Sequence, residues 1–182
     1  MGKMRPSGAL MIEHRLIERF INVVMEKISA AGTQKPDPVF IDTVVDFFRT
    51  YADRTHHGKE EDILFRDLAK VKLSQEHAEI MADLVEEHKQ ARKNVGMIIE
   101  LNEKYRKNDM NALKGIIDTL KVLAQFYPVH IRKEDEVFFP AALKYFNSEK
   151  IDNMTAEFMD FDRKMIHEKY RKITEHYENK GS

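Results

Sequence analysis

The sequence predicts an all-α protein, an antiparallel up-down-up-down four-helix bundle with an additional C-terminal helix. Apolar residues recur at three- and four-residue spacing in five long stretches. No stretch alternates cleanly between apolar and polar, and no Asn-Gly or Asp-Gly hairpin occurs. Glycines and prolines number only 7 and 5, and most fall where those stretches end.

The first helix is expected from about Gly8 to Ala31, with Ser7 as N-cap and Gly32 as stop, and a stripe of Leu10, Ile17, Ile21, Val24 and Ile28. Asp37 and Pro38 have the residue types of a helix start, so a second helix should run toward Lys70, with Gly58 as a point where it can bend. Ser74 should cap a third helix carrying Leu84, Ala91, Val95 and Ile98 to about Lys107. After a turn at Asn108 and Asp109, a fourth carries Leu113, Ile116, Leu120 and Leu123 to about Phe146. Pro128 predicts a kink just before His130. A fifth runs from about Glu149 to Tyr177 with Met154, Phe158, Phe161, Met165 and Ile173. The expected division is a bundle over residues 8–146 and an amphipathic helix over 147–178, packed on the same domain. The short connections favour antiparallel neighbours.

A chain of 182 residues suffices for one core. The net charge of −1 supplies no field to recruit nucleic acid or anionic lipid. The absence of cysteine excludes disulfides, zinc–thiolate sites and thiol catalysis. No secretory signal and no uncharged apolar run of membrane-spanning length is visible, so a cytoplasmic protein without a membrane partner is expected.

Two stretches resemble one another, HHGKEEDILF at 56–65 and HIRKEDEVFF at 130–139. His56 aligns with His130, Lys59 with Lys133, Glu60 with Glu134 and Phe65 with Phe139. On an α-helix, positions four apart share a face. His56 and Glu60 then lie with Phe48, Ala52, Ile63 and Leu64, and point inward. His57 and Glu61 fall with Asp46, Arg49 and Asp53 on a face expected to be solvated. His130 and Glu134 line up with Leu123, Phe126, Val137 and Phe138; His88 with Leu84, Ala91 and Val95; His14 with Leu10, Ile17 and Ile21. Counted from adjoining helix ends at about 1.5 Å per residue, the four histidines fall within one turn of the same height. His77, His167 and His176 are read as structural or exposed, and Glu18, four residues from His14, as solvated.

A lone inward histidine is most often a core residue bonded to a carbonyl. Four of them with two glutamates in one layer differ, because two buried carboxylates without cations would cost several kcal/mol or titrate to neutral. No lysine or arginine shares their inward positions; Arg92, one turn from His88, is the nearest. A metal centre explains the burial. Imidazole and carboxylate without sulfur suit iron, manganese or zinc. Six ligands exceed one tetrahedral zinc and suit two metals bridged by the carboxylates. Haem held by two histidines would leave the remaining histidines and both glutamates unused.

EHRLIE around His14, HHGKEEDILF, EEHKQAR around His88 and HIRKEDEVFFP together resemble the hemerythrin-like, or HHE cation-binding, family over about residues 8–146. The resemblance implies a non-haem di-iron site, two iron ions with a bridging oxo or hydroxo group, held by His14, His56, Glu60, His88, His130 and Glu134. Oxygen-carrying members have a second histidine on the third helix, one turn from the first. Here Leu84 and Arg92 stand there, which implies one imidazole fewer and more coordination open to a ligand. The expected function is binding of, or reaction with, O2, NO or peroxide, with an electron donor unidentified. A sensor acting through the C-terminal helix, or iron buffering without turnover, is the alternative. Phe48, Leu84, Phe126, Val137 and Phe138 are expected to wall the cavity, with Tyr127 as core packing or a hydrogen-bond donor, and the C-terminal helix offers a surface for a homodimer.

Overall fold

The structure is a computed structural model that describes residues 5–29 and 35–178, with side chains described through residue 165. Among the described residues it is entirely helical, with five helical stretches and no strand. Helix α1 is Pro6–Ser29. Helix α2 covers residues 38–68, beginning with Pro38–Asp46. Helix α3 is Gln75–Tyr105. Helix α4 covers residues 110–145, beginning with Met110–Arg132. Helix α5 is Ser148–Glu178. The expected stop at Gly32 and the residues His167, Ile173 and His176 lie outside the described backbone or side chains.

Local chemistry accounts for most of the ends. Asp37 caps α2 by accepting the Val39 N–H, with Pro38 next, where its missing N–H costs nothing. Ser74 caps α3 through the His77 N–H, and Asp109 caps α4 through Asn111 and Ala112. Asn108 takes a left-handed φ of 67° in that turn, a conformation asparagine tolerates. Helix α1 starts at Pro6 rather than after Ser7, since proline's fixed φ suits a first helical position. Helix α4 stays helical through Pro128; its departure from α geometry comes later, at Lys133–Phe138.

The largest departure from the expected helices is in α2. Residues Phe47–His57 and Glu60–Phe65 form wide, π-type turns, and Lys133–Phe138 of α4 does the same. Hydrogen bonds there span five residues instead of four, so each residue advances less around the axis.

Helix α3 packs chiefly on α4, α4 also on α1, and α2 on α3; α5 lies against α1 and α2. The core has two parts. Ile17, Ala52, Ala91 and Ile131 belong to one cluster. Leu10, Ile63, Leu84 and Phe138 belong to the other, where Met154 and Phe158 of α5 join them. Each of the first four helices passes from one cluster to the other, and at each crossing stands a buried histidine: His14, His56, His88 or His130. Apolar packing on both sides thus holds a polar layer away from water.

Helix α5 is also held by charge. Asp67, buried at the end of α2, receives Arg66, Lys70 and Lys150, while Arg66 also grips Glu157 at 2.6 Å. Burial alone would raise the Asp67 carboxyl, but hydrogen bonds from Arg66, Lys150 and Lys70 outweigh it and hold the group far below the usual carboxylate range. A carboxylate depressed on folding adds stability above its unfolded value of about 3.9 and loses it as pH falls toward the folded value. Asp67→Asn is therefore expected to cost roughly 1–2 kcal/mol at pH 7, discounted because the cationic partners are partly exposed. In thermal melts from pH 7 to pH 2, its gap from the wild type should narrow below about pH 4.

Candidate metal centre

All six histidines and glutamates expected to converge do so. His14, His56, His88, His130, Glu60 and Glu134 are each no more than 2% exposed. Their facing atoms form two adjoining groups. His14, His56, Glu60 and Glu134 present ligand-type atoms all within 4.8 Å of one another. The second group is His57, His88 and His130, within the same 4.8 Å span. The two carboxylates stand between the groups. Glu60 lies 3.5 Å from His56 Nε2 and 3.5 Å from His88 Nε2. Glu134 lies 3.1 Å from His14 Nε2, 3.4 Å from His130 Nε2 and 3.8 Å from His88 Nε2.

His57 corrects the sequence expectation. Its ring is 1% exposed and stacks on His88 at 3.8 Å between centroids, with 12° between planes. The assignment to a solvated face assumed α-helical advance. In the wide turns of α2, residues five apart share a face, so His57 follows the fully buried Ala52 inward. The Thr55 hydroxyl donates to the Thr50 carbonyl five residues back, the same spacing. The layer therefore holds five imidazoles, not four, and the inferred shortage of one imidazole does not hold. The expected cavity wall also changes. Val137 is 47% exposed, because the wide turn at Lys133–Phe138 rotates it outward while Phe138 stays buried.

A ring of carboxylates surrounds the layer. His14 Nδ1 donates to Asp135 at 2.7 Å, His56 Nδ1 to Glu13 at 2.9 Å, His88 Nδ1 to Glu61 at 2.6 Å and His130 Nδ1 to Glu87 at 2.8 Å. An ionised carboxylate only accepts, so the proton sits on Nδ1 and the Nε2 lone pair faces the centre. Lysines complete the ring: Lys59 bonds Glu13, and Lys133 bonds Glu87 at 2.5 Å. These partners escaped the sequence reading, though a signal for them was present. A constant shift of 74 residues relates Glu13 to Glu87, His14 to His88, His56 to His130 and Glu61 to Asp135. It extends the motif repeat to every member of the ring. Phe65 stacking on His88 and Phe139 stacking on His14 obey the same shift.

The protonation states follow from burial. Burial, then the neighbouring His14, pushes His56 well below the usual imidazole range; burial and then His88 do the same to His57. Burial lowers His88, and lowers His130 to about 4, so these rings are neutral near pH 7. Burial favours neutrality at Glu87 too, but hydrogen bonds from His130 and Lys133 prevail and hold it at about 2. Glu60 and Glu134 are pushed well above the usual carboxylate range, burial leading in both.

This polar layer is unsatisfied in a particular direction. The Nε2 atoms of His14, His56, His57, His88 and His130 have no hydrogen-bond partner, nor do the carboxylate oxygens of Glu60 and Glu134. Buried polar atoms are normally paired, and an orphan costs about 1–3 kcal/mol. Here the orphans face one another while four of the five Nδ1 atoms are bonded outward. Neutral imidazoles with one nitrogen anchored on a carboxylate and the other free are in the form that cations bind. The residues fit a pair of metal ions that both glutamates can reach.

The sequence profile of the hemerythrin HHE cation-binding domain matches residues 5–142 and, a second time, residues 79–179. The second match begins 74 residues after the first, the shift that relates the two halves of the ring. No curated protein and no solved structure matches the chain.

Removing one of the orphaned carboxyl groups should have opposite effects with and without metal. Glu134→Met is expected to stabilise metal-free protein by about 1–3 kcal/mol, since an apolar side chain of similar size replaces an unpaired buried carboxylate. It should also abolish most of the extra stability gained when metal is added. Denaturant unfolding of both proteins, with and without chelator, measures the two effects.

Proposed function

The chain belongs to the hemerythrin HHE cation-binding domain family, and from that premise we propose that it is a non-haem di-iron protein that binds or reacts with O2, NO or peroxide. The carrying observation is the set of inward-facing orphaned atoms, five imidazole nitrogens and two carboxylates, in a layer sealed by apolar packing. Two iron ions with a bridging oxo or hydroxo group are the cofactor in this reading, with manganese or zinc as substitutes. Donors of this kind, without sulfur, suit those metals.

The proposed ligands are His14, His56, His57, His88 and His130, with Glu60 and Glu134 bridging. Bound iron would supply Lewis acidity and electrons. The protein's own part is to keep His56, His57, His88 and His130 neutral, fix the direction of four rings through Glu13, Asp135, Glu61 and Glu87, and exclude bulk water. His14 and His56 would hold one ion and His57, His88 and His130 the other, with Glu60 and Glu134 within reach of both groups.

The up-down-up-down bundle over residues 8–146, with residues 147–178 packed on the same domain, is part of this reading. It is supported by the alternating order in which α1 to α4 meet the two core clusters. No helix among the described residues is long and apolar enough to cross a membrane, which agrees with a cytoplasmic setting.

One observation favours a sensor as the second reading. Lys59, fully buried beside the motif, bonds both Glu13 and, at 2.7 Å, Asp162 of α5. The Phe161 ring meanwhile packs so closely on Gly58 that an added Cβ would lie 2.8 Å from it. A change at His56 therefore has a direct mechanical route to α5.

Metal analysis of freshly purified protein is expected to find two ions per chain. His57→Ala should lower that to about one, and His77→Ala, which alters a histidine bonded to Tyr145, should leave it at two. Equal metal content in wild type and His57→Ala would defeat the seven-ligand assignment. Anaerobic optical spectra with NO or peroxide then separate the readings. Turnover supports an enzyme, a stable adduct with a change in α5 supports a sensor, and metal lability with neither supports buffering.

A further inference from the structure

One shift relates the ring residues of the two halves, and a cavity on one side has a lining unlike that of its counterpart. It measures about 360 Å3 and is lined by Phe48, Tyr127, Val95 and Ile99, with Arg49 and Arg92 among its polar residues; His57 also contributes to its wall. The same shift maps Glu18, Ile21, Asn22 and Met25 onto Arg92, Val95, Gly96 and Ile99, and those four residues line a second depression on the α1–α4 side. That second depression is lined by no histidine of the central layer, and the counterpart of His57 is Ile131. One side has thus acquired a histidine in its wall, an arginine where the other has a glutamate, and a glycine where the other has an asparagine.

Gly96 is informative because it stands in the interior of α3, where glycine is less favourable than alanine. Packing does not require it. A Cβ built there meets nothing within 4 Å. It lines the cavity, so its lack of a side chain keeps the cavity open.

The charge of the lining selects the occupant. Asp53 is neutralised by Arg92, whose Nε donates to it at 2.7 Å. Arg49 is exposed and has no ion-pair partner among the described residues. Arg92 is shared between Asp53 and Glu61, so the cavity has an apolar, aromatic wall with the Arg49 guanidinium as its uncompensated charge. Its volume corresponds to roughly a dozen water volumes, far more than a diatomic requires.

We propose that this cavity binds an amphipathic organic acid of about ten non-hydrogen atoms, its carboxylate on Arg49 and Arg92 and its apolar part against Phe48 and Tyr127. The proposal rests on the metal reading above for its functional consequence. Arg92 also donates to Glu61, the anchor of His88, at 2.7 Å, and Asp53 stands 3.5 Å from His57 Nδ1. An acid that engages Arg92 loosens it from Glu61 and Asp53, and so reaches two of the histidines of the metal layer through their outer partners.

The test is calorimetric titration of the full chain with 3-phenylpropionate, with 3-phenylpropan-1-ol and acetate as controls, on metal-loaded and metal-free protein. One saturable site for the acid is expected, with at least tenfold weaker binding of the alcohol and of acetate. Arg49→Gln, at an exposed position, should weaken the acid about tenfold and leave the alcohol unchanged. Gly96→Phe, which fills the cavity, should abolish binding while metal content stays at the wild-type level. The optical bands of the metal-loaded protein should shift over the same concentration range.

Absence of binding, equal affinity for acid and alcohol, wild-type binding by a folded Gly96→Phe, or unchanged optical bands on saturation each overturns the proposal. The two readings fail separately. Acid binding by a protein that takes up no metal sinks the di-iron reading but keeps the cavity assignment, and the reverse result does the opposite.

Discussion

Two carboxylates and five imidazole nitrogens meet in the middle of this molecule with no protein group to satisfy them. Such an arrangement opposes folding, because each orphaned atom has given up water and gained nothing. Most of the architecture compensates for it. Apolar clusters on both sides exclude solvent, so His56, His57, His88 and His130 remain neutral. The outer carboxylates fix four of the rings in one tautomer, and Lys59 and Lys133 grip and orient Glu13 and Glu87. A cation bound at the centre would turn the same orphaned atoms from a cost into ligands.

The anchoring follows a crossed pattern with mechanical consequences. His14 of α1 is held by Asp135 of α4, and His88 of α3 by Glu61 of α2. His56 of α2 is held by Glu13 of α1, and His130 of α4 by Glu87 of α3. None of these four rings is anchored by its own helix. Each ring is positioned by a neighbour, so the geometry of the centre reports the relative placement of all four helices. A displacement of any one is felt at a ring carried by another.

Helix existence, most caps and six of the seven central residues were legible in the sequence, because apolar periodicity, capping residues and the duplicated motif are local signals. Asp37, Ser74 and Asp109 act as caps where their residue types suggested it. His57 was not legible, for a specific reason. A face assignment depends on the angle advanced per residue, and α2 changes that angle within the motif itself. Gly58 marked the place but not the direction of the deviation. The ring of outer carboxylates was missed for a different reason. Glu13, Glu61, Glu87 and Asp135 look like ordinary solvated residues when each helix is read alone, and only the constant shift between the two halves singles them out.

That shift also gives a way to tell scaffold from specialisation within one chain. Residues that obey it, Glu13 with Glu87, His14 with His88 and Phe65 with Phe139, build the metal layer and its support twice over. Where the halves disagree, a symmetric demand cannot be the cause. His57 against Ile131, Arg92 against Glu18 and Gly96 against Asn22 all fall on one side of α3 or facing it, and all three line one cavity. These three differences place a histidine, an arginine and a glycine on the wall of a cavity beside the candidate metal layer, where the other half presents isoleucine, glutamate and asparagine.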